Sequence, residues 1–389
     1  MRLPRPLCLT LAGALPALGQ DLPDLRTLLR TPVTVASKTP ESVLVAPGSA
    51  TVYLDRDLGS LGLWNLADLA DFTAGFSSYP IYGERVFETR GQKAGSFNNN
   101  KHLLLVDGIP FSHARNGKVP TEGEFPLLGA ERVEFLRGPA SSLYGTGAFF
   151  GVVKVTSRVD GDGDLREGLA TFGDTQDSRR LMATLAQQSE GATSHLSVGY
   201  LCQEDSLRQV GPRPDPANRL RDRQESLFLQ VAHSLKEGPL AGLSAGFLLS
   251  RKQGGLGEFW TGTYTRPEND LTWSTAVPYL KLERALGADV GFEARTYANT
   301  SVEEGRYVGD PLTGAPSHYR SRVRSLGGAL EVRWALAPRQ VLILGLEGEG
   351  RREAYDAQVP GPGGTYLDAG APETGAFRTW SAFGQWQAH

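Results

Sequence analysis

The second half of the chain limits its fold more than any other feature. From Leu165 onward, short segments alternate apolar and polar residues with a period of two. In one segment Leu326, Leu330, Val332, Trp334 and Leu336 share a side, while Glu331 and Arg333 take the other. In a second, Val290, Phe292 and Ala294 oppose Glu293 and Arg295; in a third, Leu196, Val198, Tyr200 and Cys202 share a face. Successive side chains of a strand point to opposite faces, so this is the pattern of a sheet with one apolar side. Ten such strands are expected, near 165–173, 178–188, 192–203, 223–235, 240–251, 271–285, 288–302, 321–336, 340–355 and 376–388. Their connections alternate in length. Short turns fall near Ser189–Gly191, Lys236–Pro239, Leu286–Gly287 and Ala337–Arg339; long ones cover Glu204–Asp222, Arg251–Asp270, Glu303–Arg320 and Asp356–Gly375. A soluble sandwich has no reason to alternate in this way, whereas a membrane β-barrel has short periplasmic turns and long outer loops. Past the first twenty residues no stretch approaches the roughly 18 apolar residues of a membrane helix, which does not bear on a barrel.

The N-terminus carries an export signal. Arg2 and Arg5 precede an apolar run from Leu7 to Leu18, and Ala17-Leu18-Gly19 offers small residues before a cut at Gln20. Cys8 would leave with residues 1–20, and Cys202 alone cannot form an intramolecular disulfide. The net charge of −3, with no basic run, gives no reason to expect a nucleic-acid partner. The 47 glycines suit many strands and turns. The six histidines are scattered without metal-ligand spacing, and no phosphate loop or G-x-S-x-G elbow occurs. A chain that is not an enzyme, with no metal and no cofactor, is expected.

The segment Ala130–Arg158, AERVEFLRGPASSLYGTGAFFGVVKVTSR, reads as a strand, a Gly-Pro stop, a small-residue loop and a second strand. Its order of residues resembles the signature of the plug domain of TonB-dependent outer-membrane receptors. His102–Phe111, HLLLVDGIPF, and Arg90-Gly91 are similar to two further blocks of that family, in the same order. The resemblance implies a small mixed α/β plug domain followed by antiparallel transmembrane β-barrel strands. The division that follows is a signal peptide at 1–20, a TonB-box-like segment at 21–40, a plug at 41–158 and an N-terminal portion of the barrel at 159–389. Within the plug, strands are expected at Ala50–Leu54, Glu84–Thr89 and Leu103–Val106, and a short helix at Leu63–Phe72.

The resemblance also implies location, partners and sites. The location is the outer membrane of a Gram-negative-type cell. The partners are TonB with its inner-membrane energising complex, outer-membrane lipid, and a scarce small-molecule nutrient or metal chelate such as a ferric siderophore or cobalamin. Thr31, Pro32, Val33, Thr34 and Val35 loosely resemble a TonB box, which would add as a strand to its partner; the alternative is that they form the first plug strand or a linker. Plug loops carrying Tyr79, Tyr82, Asn98, Asn99, Asn100, His113 and Arg115 would face substrate. Arg90 and Arg137 match plug arginines that pair with barrel glutamates; Glu293 and Glu331 are candidates, and strands beyond these ten are an equal source of partners. The family barrel has 22 strands around a plugged lumen, so ten strands imply an incomplete barrel. The alternative to active uptake is therefore a truncated, transport-incompetent remnant acting at most as a plug-like binding module.

Overall fold

The computed structural model describes residues 32–42, 46, 48–81, 84–92, 100–158, 162–172, 178–205, 223–255, 270–307, 317–337, 340–360, 366–368 and 373–388. The export signal, Thr31, Tyr82, Asn98 and Asn99 lie outside the described residues.

The N-terminal domain begins with a two-residue ladder, β1 (Pro32–Val33) against β2 (Glu41–Ser42). β3 (Ser49–Leu54) then leads into helix α1 (Asp55–Leu61), and α2 (Leu66–Phe72) follows. The Asn65 carbonyl oxygen of the side chain accepts from the Asp68 backbone N–H at 2.9 Å and caps α2. Leu66, Ala67, Leu69 and Ala70 form its buried face. α1 was not expected because only Leu58 of its seven residues is buried, too few for an apolar stripe. A hairpin follows, β4 (Phe76–Ile81) with β5 (Glu84–Thr89). β6 (His102–Val106), β7 (Ile109–Pro110), β8 (Ala130–Arg137), the helical turn α3 (Ser141–Tyr144) and β9 (Gly151–Ser157) complete the domain. The sheet order is β3-β8-β9-β6-β7, with only β6 and β9 parallel.

Between β6 and β7 both Asp107 (φ 52°) and Gly108 (φ 85°) are left-handed, the requirement of a two-residue hairpin turn. The turn aims the Asp107 carboxylate at its neighbours. It accepts from the Ser157 N–H (2.8 Å), the Ser157 hydroxyl (2.7 Å) and the Gln230 amide (3.1 Å).

The rest of the chain is one antiparallel sheet of eleven strands, joined mostly in chain order. They are β10 (Asp162–Phe172), β11 (Arg179–Gln188), β12 (Ala192–Gln203), β13 (Gln224–Leu235), β14 (Leu243–Gly254), β15 (Asp270–Ala285), β16 (Val290–Tyr307), β17 (Ser317–Ala337), β18 (Gln340–Pro360), β19 (Tyr366–Asp368) and β20 (Glu373–Ala388). β19 extends the far end of β18, and β20 pairs with the remainder of β18. Each of the ten expected segments holds one long strand. β19 lies in a stretch expected to be loop and is three residues long. Among the described residues β10 and β20 each pair on one side only, so the sheet is open. No described helix is long and apolar enough to cross a membrane, which says nothing about strands.

The two faces of the sheet differ. On β17 every odd-numbered residue from Ser321 to Gly327 is buried, and the even-numbered ones between them are exposed. The odd face meets the N-terminal domain: Asn299, Ser301, Glu303 and Glu331 all bond to it. One apolar core joins both parts, with Phe87, Phe111, Phe125 and Phe135 of the domain packed with Phe228, Leu248, Val277, Tyr279 and Tyr297 of the sheet.

Candidate functional site

The domain touches the sheet at two ends, and the connections tell the ends apart. β16 runs from a short turn at Val290 toward a long connection after Tyr307, and β17 runs back. Glu303 and Glu353 therefore lie toward the long connections; Glu331 and Gln387 lie toward the short turns.

At the long-connection end, the segment Ser112–Lys118 is fastened to the wall. The Asn299 amide donates to the Ser112 carbonyl at 2.8 Å, and the Ala114 N–H donates to the Ser301 hydroxyl at 2.9 Å. Arg115 reaches Glu353 at 2.7 Å and Glu303 at 3.3 Å, with its guanidinium over the Tyr355 ring. Burial opposes its charge, but the two glutamates more than offset this and hold Arg115 above its ordinary value. His113 is buried, edge-on to Trp273 at 5.0 Å between ring centres. Burial lowers it to about 3, with the neighbouring Lys118 charge acting the same way, so it is neutral. Lys118 pairs with Glu84 beneath the same indole, 4.1 Å from its centre. Burial pulls both toward neutrality, lowering Lys118 and raising Glu84, and each offsets part of the effect on the other. Asn100 packs beside Gly117. Asn100, His113 and Arg115 are thus brought together, while Tyr79 sits apart on the β4–β5 hairpin opposite Val86.

At the short-turn end, residues 32–39 are clamped from two directions. Glu134 of β8 is buried and accepts from the N–H groups of Thr34 and Val35, both at 2.8 Å, and from the Thr34 hydroxyl at 2.9 Å. Arg132 holds Glu134 at 2.9 Å and donates to the Pro32 carbonyl. Val33 and Val35 are fully buried. From the wall, Glu331 pairs with Lys38 at 2.9 Å, and Gln387 bonds Thr39 (2.9 Å) and the Ser37 carbonyl (3.0 Å). The Lys38 ammonium also lies 3.9 Å from the centre of the Phe383 ring.

Among the described residues neither Arg90 nor Arg137 meets Glu293 or Glu331. Arg137 donates to the Ala74 carbonyl at 2.7 Å and to the Ser49 hydroxyl, all within the domain. Arg90 is exposed in a left-handed turn (φ 54°), its N–H bonded to the Gly75 carbonyl. Glu331 takes Lys38 and Arg333; Glu293 takes Lys281, Arg295 and Arg333. Among the described residues the ionic contacts between domain and wall are Lys38–Glu331, Arg115 with Glu303 and Glu353, and Lys252–Glu122. The sequence reading missed Lys38, Glu134 and Glu303. Glu134 carried a signal: Leu136 shares its face, which marks a strand covered on both sides.

A family model described as the TonB-dependent receptor plug domain matches residues 42–152. The vitamin B12 transporter BtuB of Vibrio cholerae is 38% identical over 154 residues, which is 38% of this chain and 25% of that protein. BtuB of Vibrio vulnificus is 33% identical over 106 residues, 27% of this chain and 17% of that protein. Among solved structures, the ferric yersiniabactin uptake receptor FyuA of Yersinia pestis matches with TM-score 0.56 at 17% identity, covering 92% of this chain and 63% of that one. The pyoverdine receptor FpvA of Pseudomonas aeruginosa matches with TM-score 0.65 at 14% identity, covering 92% of this chain and 56% of that one. The aligned region thus spans between about a sixth and a quarter of these curated relatives and about three-fifths of these structures. With residues 42–152 matched by the plug-domain model and the plug-and-strand arrangement matched in fold, the chain carries a TonB-dependent receptor plug domain and shares its fold with the solved outer-membrane receptors FyuA and FpvA.

Proposed function

We propose that this chain serves TonB-dependent uptake of a scarce nutrient of the ferric siderophore or cobalamin class. The observation that carries the reading is the separation of the two clamped segments. Ser112–Lys118 is held under the long connections, and Pro32–Thr39 under the short turns, at opposite ends of one plug. In this reading the nutrient meets Asn100, Arg115 and Tyr79 from the outer side, together with Tyr82, Asn98 and Asn99, and His113 backs the loop from below. TonB takes Thr31–Val35 from the periplasmic side by strand addition. Substrate binding and TonB engagement then act on one plug without competing for surface. The names of the relatives support the substrate class: vitamin B12 for BtuB and ferric yersiniabactin for FyuA.

The test is growth on limiting cobalamin, and separately on limiting iron with a panel of siderophores, in an outer-membrane host lacking its own receptors. Growth that needs both this chain and an intact TonB is expected for at least one nutrient. Growth that is unchanged when TonB is deleted overturns the proposal. A second reading, a binding module without transport, is favoured by the two one-sided edge strands β10 and β20. It predicts nutrient binding by the purified chain with no TonB-dependent growth.

A further inference from the structure

Beside the Ser112–Lys118 segment, plug and wall close over a cluster of charges. From the plug come Glu84 at the start of β5, and Lys118, Glu122 and Glu124 between β7 and β8; from the wall comes Lys252 on β14. Lys118 pairs with Glu84, and Lys252 with Glu122. Glu124 is held differently. One of its carboxylate oxygens accepts from the Thr121 N–H at 3.1 Å, and the other, Oε2, is buried with no hydrogen bond. Glu84, Lys118, Glu124 and Lys252 are all buried. At the centre lies a cavity of about 20 Å³, lined by His113, Lys118, Glu124, Lys252 and Trp273. That is room for one water-sized group. Both ring nitrogens of His113 and the Trp273 indole nitrogen are buried beside Glu124 Oε2, likewise without a hydrogen bond.

The charges do not balance. Three carboxylates face two ammoniums, and the neighbouring elements send their own cations elsewhere. Arg85, next to Glu84, directs its guanidinium to Asp68 and Asp71 of α2, both at 2.5 Å; only its backbone N–H reaches Glu122, at 3.2 Å. Arg115 is taken by Glu303 of β16 and Glu353 of β18, and Arg351 of β18 by Glu349. On either side of Lys252 the wall places uncharged groups, Ser226 of β13 and Trp273 of β15. His113 is neutral and adds no charge.

A net charge sealed from water is costly, and a carboxyl that can take up a proton does so instead. A metal cation would have to sit against two ammoniums, whereas a proton supplies the missing charge without needing space. We propose that the closed plug binds one proton in this cluster, so that its three carboxyls and two amines together hold three protons, and that this proton leaves when the plug leaves the wall. Groups that interact this closely titrate as a set, so the proton belongs to the cluster and not to one carboxyl. Once Lys252 parts from Glu122 and water enters, the carboxyls return to their ordinary range near 4.3 and lose the proton at neutral pH. The cluster therefore holds a proton more firmly closed than open. Its contribution to closure is present at low pH and is lost as pH rises, by up to tenfold in the closing equilibrium per pH unit. The proposal rests on the packing of plug against wall and needs neither a nutrient nor TonB, so the uptake assay does not bear on it.

The test counts protons released when the full chain, purified in detergent, is unfolded by urea at pH 7 in a pH-stat. The unaltered chain should release about one proton more than each of Glu84→Gln, Glu122→Gln and Glu124→Gln, since every one of these leaves two carboxyls facing two amines. Any one variant that folds is enough for the comparison. Equal release from the unaltered chain and such a variant overturns the proposal, and the cavity then holds a water at most. A second measurement needs no variant: the urea midpoint of the unaltered chain should fall as pH is raised from 7 to 8.5. A midpoint that stays constant over that range overturns the proposal whether or not the variants fold. A midpoint that instead follows the exchange of sodium or potassium for choline, with no difference in proton release, overturns it in favour of a metal cation.

Discussion

Glu134 sits where the alternation of its strand sends a side chain toward solvent, yet it is 1% exposed. The backbone of Thr34 and Val35 covers it, and two N–H groups and a hydroxyl converge on one carboxylate. Replacing Glu134 with Ala leaves those N–H groups without an acceptor in a buried site. The expected loss is about 3 kcal/mol, the scale of two hydrogen bonds to a charged group. Limited proteolysis should then cut within residues 32–42 before the rest of the plug; an unchanged cleavage pattern would refute the clamp. The buried histidines give the plug a pH dependence. Burial lowers both His102 and His113 to about 3, well under the ordinary value near 6.5. Each is neutral when folded and takes up a proton on unfolding, so its contribution is fully present above about pH 6.5 and is lost as pH falls toward about 3. The slope is about 1.4 kcal/mol per pH unit for each histidine over that range. Urea unfolding followed at pH 7 and pH 5 should show the drop. His102→Gln, which keeps a partner for the Thr89 hydroxyl 2.6 Å away, should roughly halve it.

At the scale of the element, the plug-facing wall depends on glycines set against aromatic rings. Gly246 stands across from Tyr279, and Gly327 across from Tyr297. A side chain at either glycine would occupy the space of the tyrosine ring. Both rings are 6% exposed and lie flat enough for the plug to pack on them, an arrangement that restores packing where a strand has no side chain. Gly327→Val forces Tyr297 toward the plug, at about 1–3 kcal/mol for an overpacked site. The midpoint of thermal unfolding should fall, and Gly327→Val combined with Tyr297→Ala should recover part of it. Such pairs were not legible in the sequence, because a linear pattern does not say which ring lies across from a glycine. The strands themselves were legible, because one face of the sheet carries exposed apolar side chains and the other carries many of the polar groups that bond the plug. Helix α1 was hidden for the opposite reason: it buries a single leucine.

For the whole molecule, the plug was legible as a plug because its signature residues make turns and strands that are local in sequence. The Asp107-Gly108 turn behaves as its composition requires. The contacts that fix the plug in the wall were not legible. Lys38–Glu331 spans 293 residues and Thr39–Gln387 spans 348, and nothing in a linear pattern joins such pairs. The two plug arginines illustrate the limit, since a motif marks the residue but not the group it meets. The short ladder β1–β2 has a mechanical consequence. Its strands run antiparallel, with Pro32 beside Ser42 and Val33 beside Glu41, so a pull from the N-terminus opens it one rung at a time. β3 is held differently, by six successive partners along β8 from Ser49↔Arg137 to Leu54↔Arg132, and a pull along its axis loads all six together. Once the Glu134, Glu331 and Gln387 contacts let go, the plug therefore opens rung by rung over its first ten or so residues and then stiffens abruptly, like a seam that unzips as far as a row of rivets.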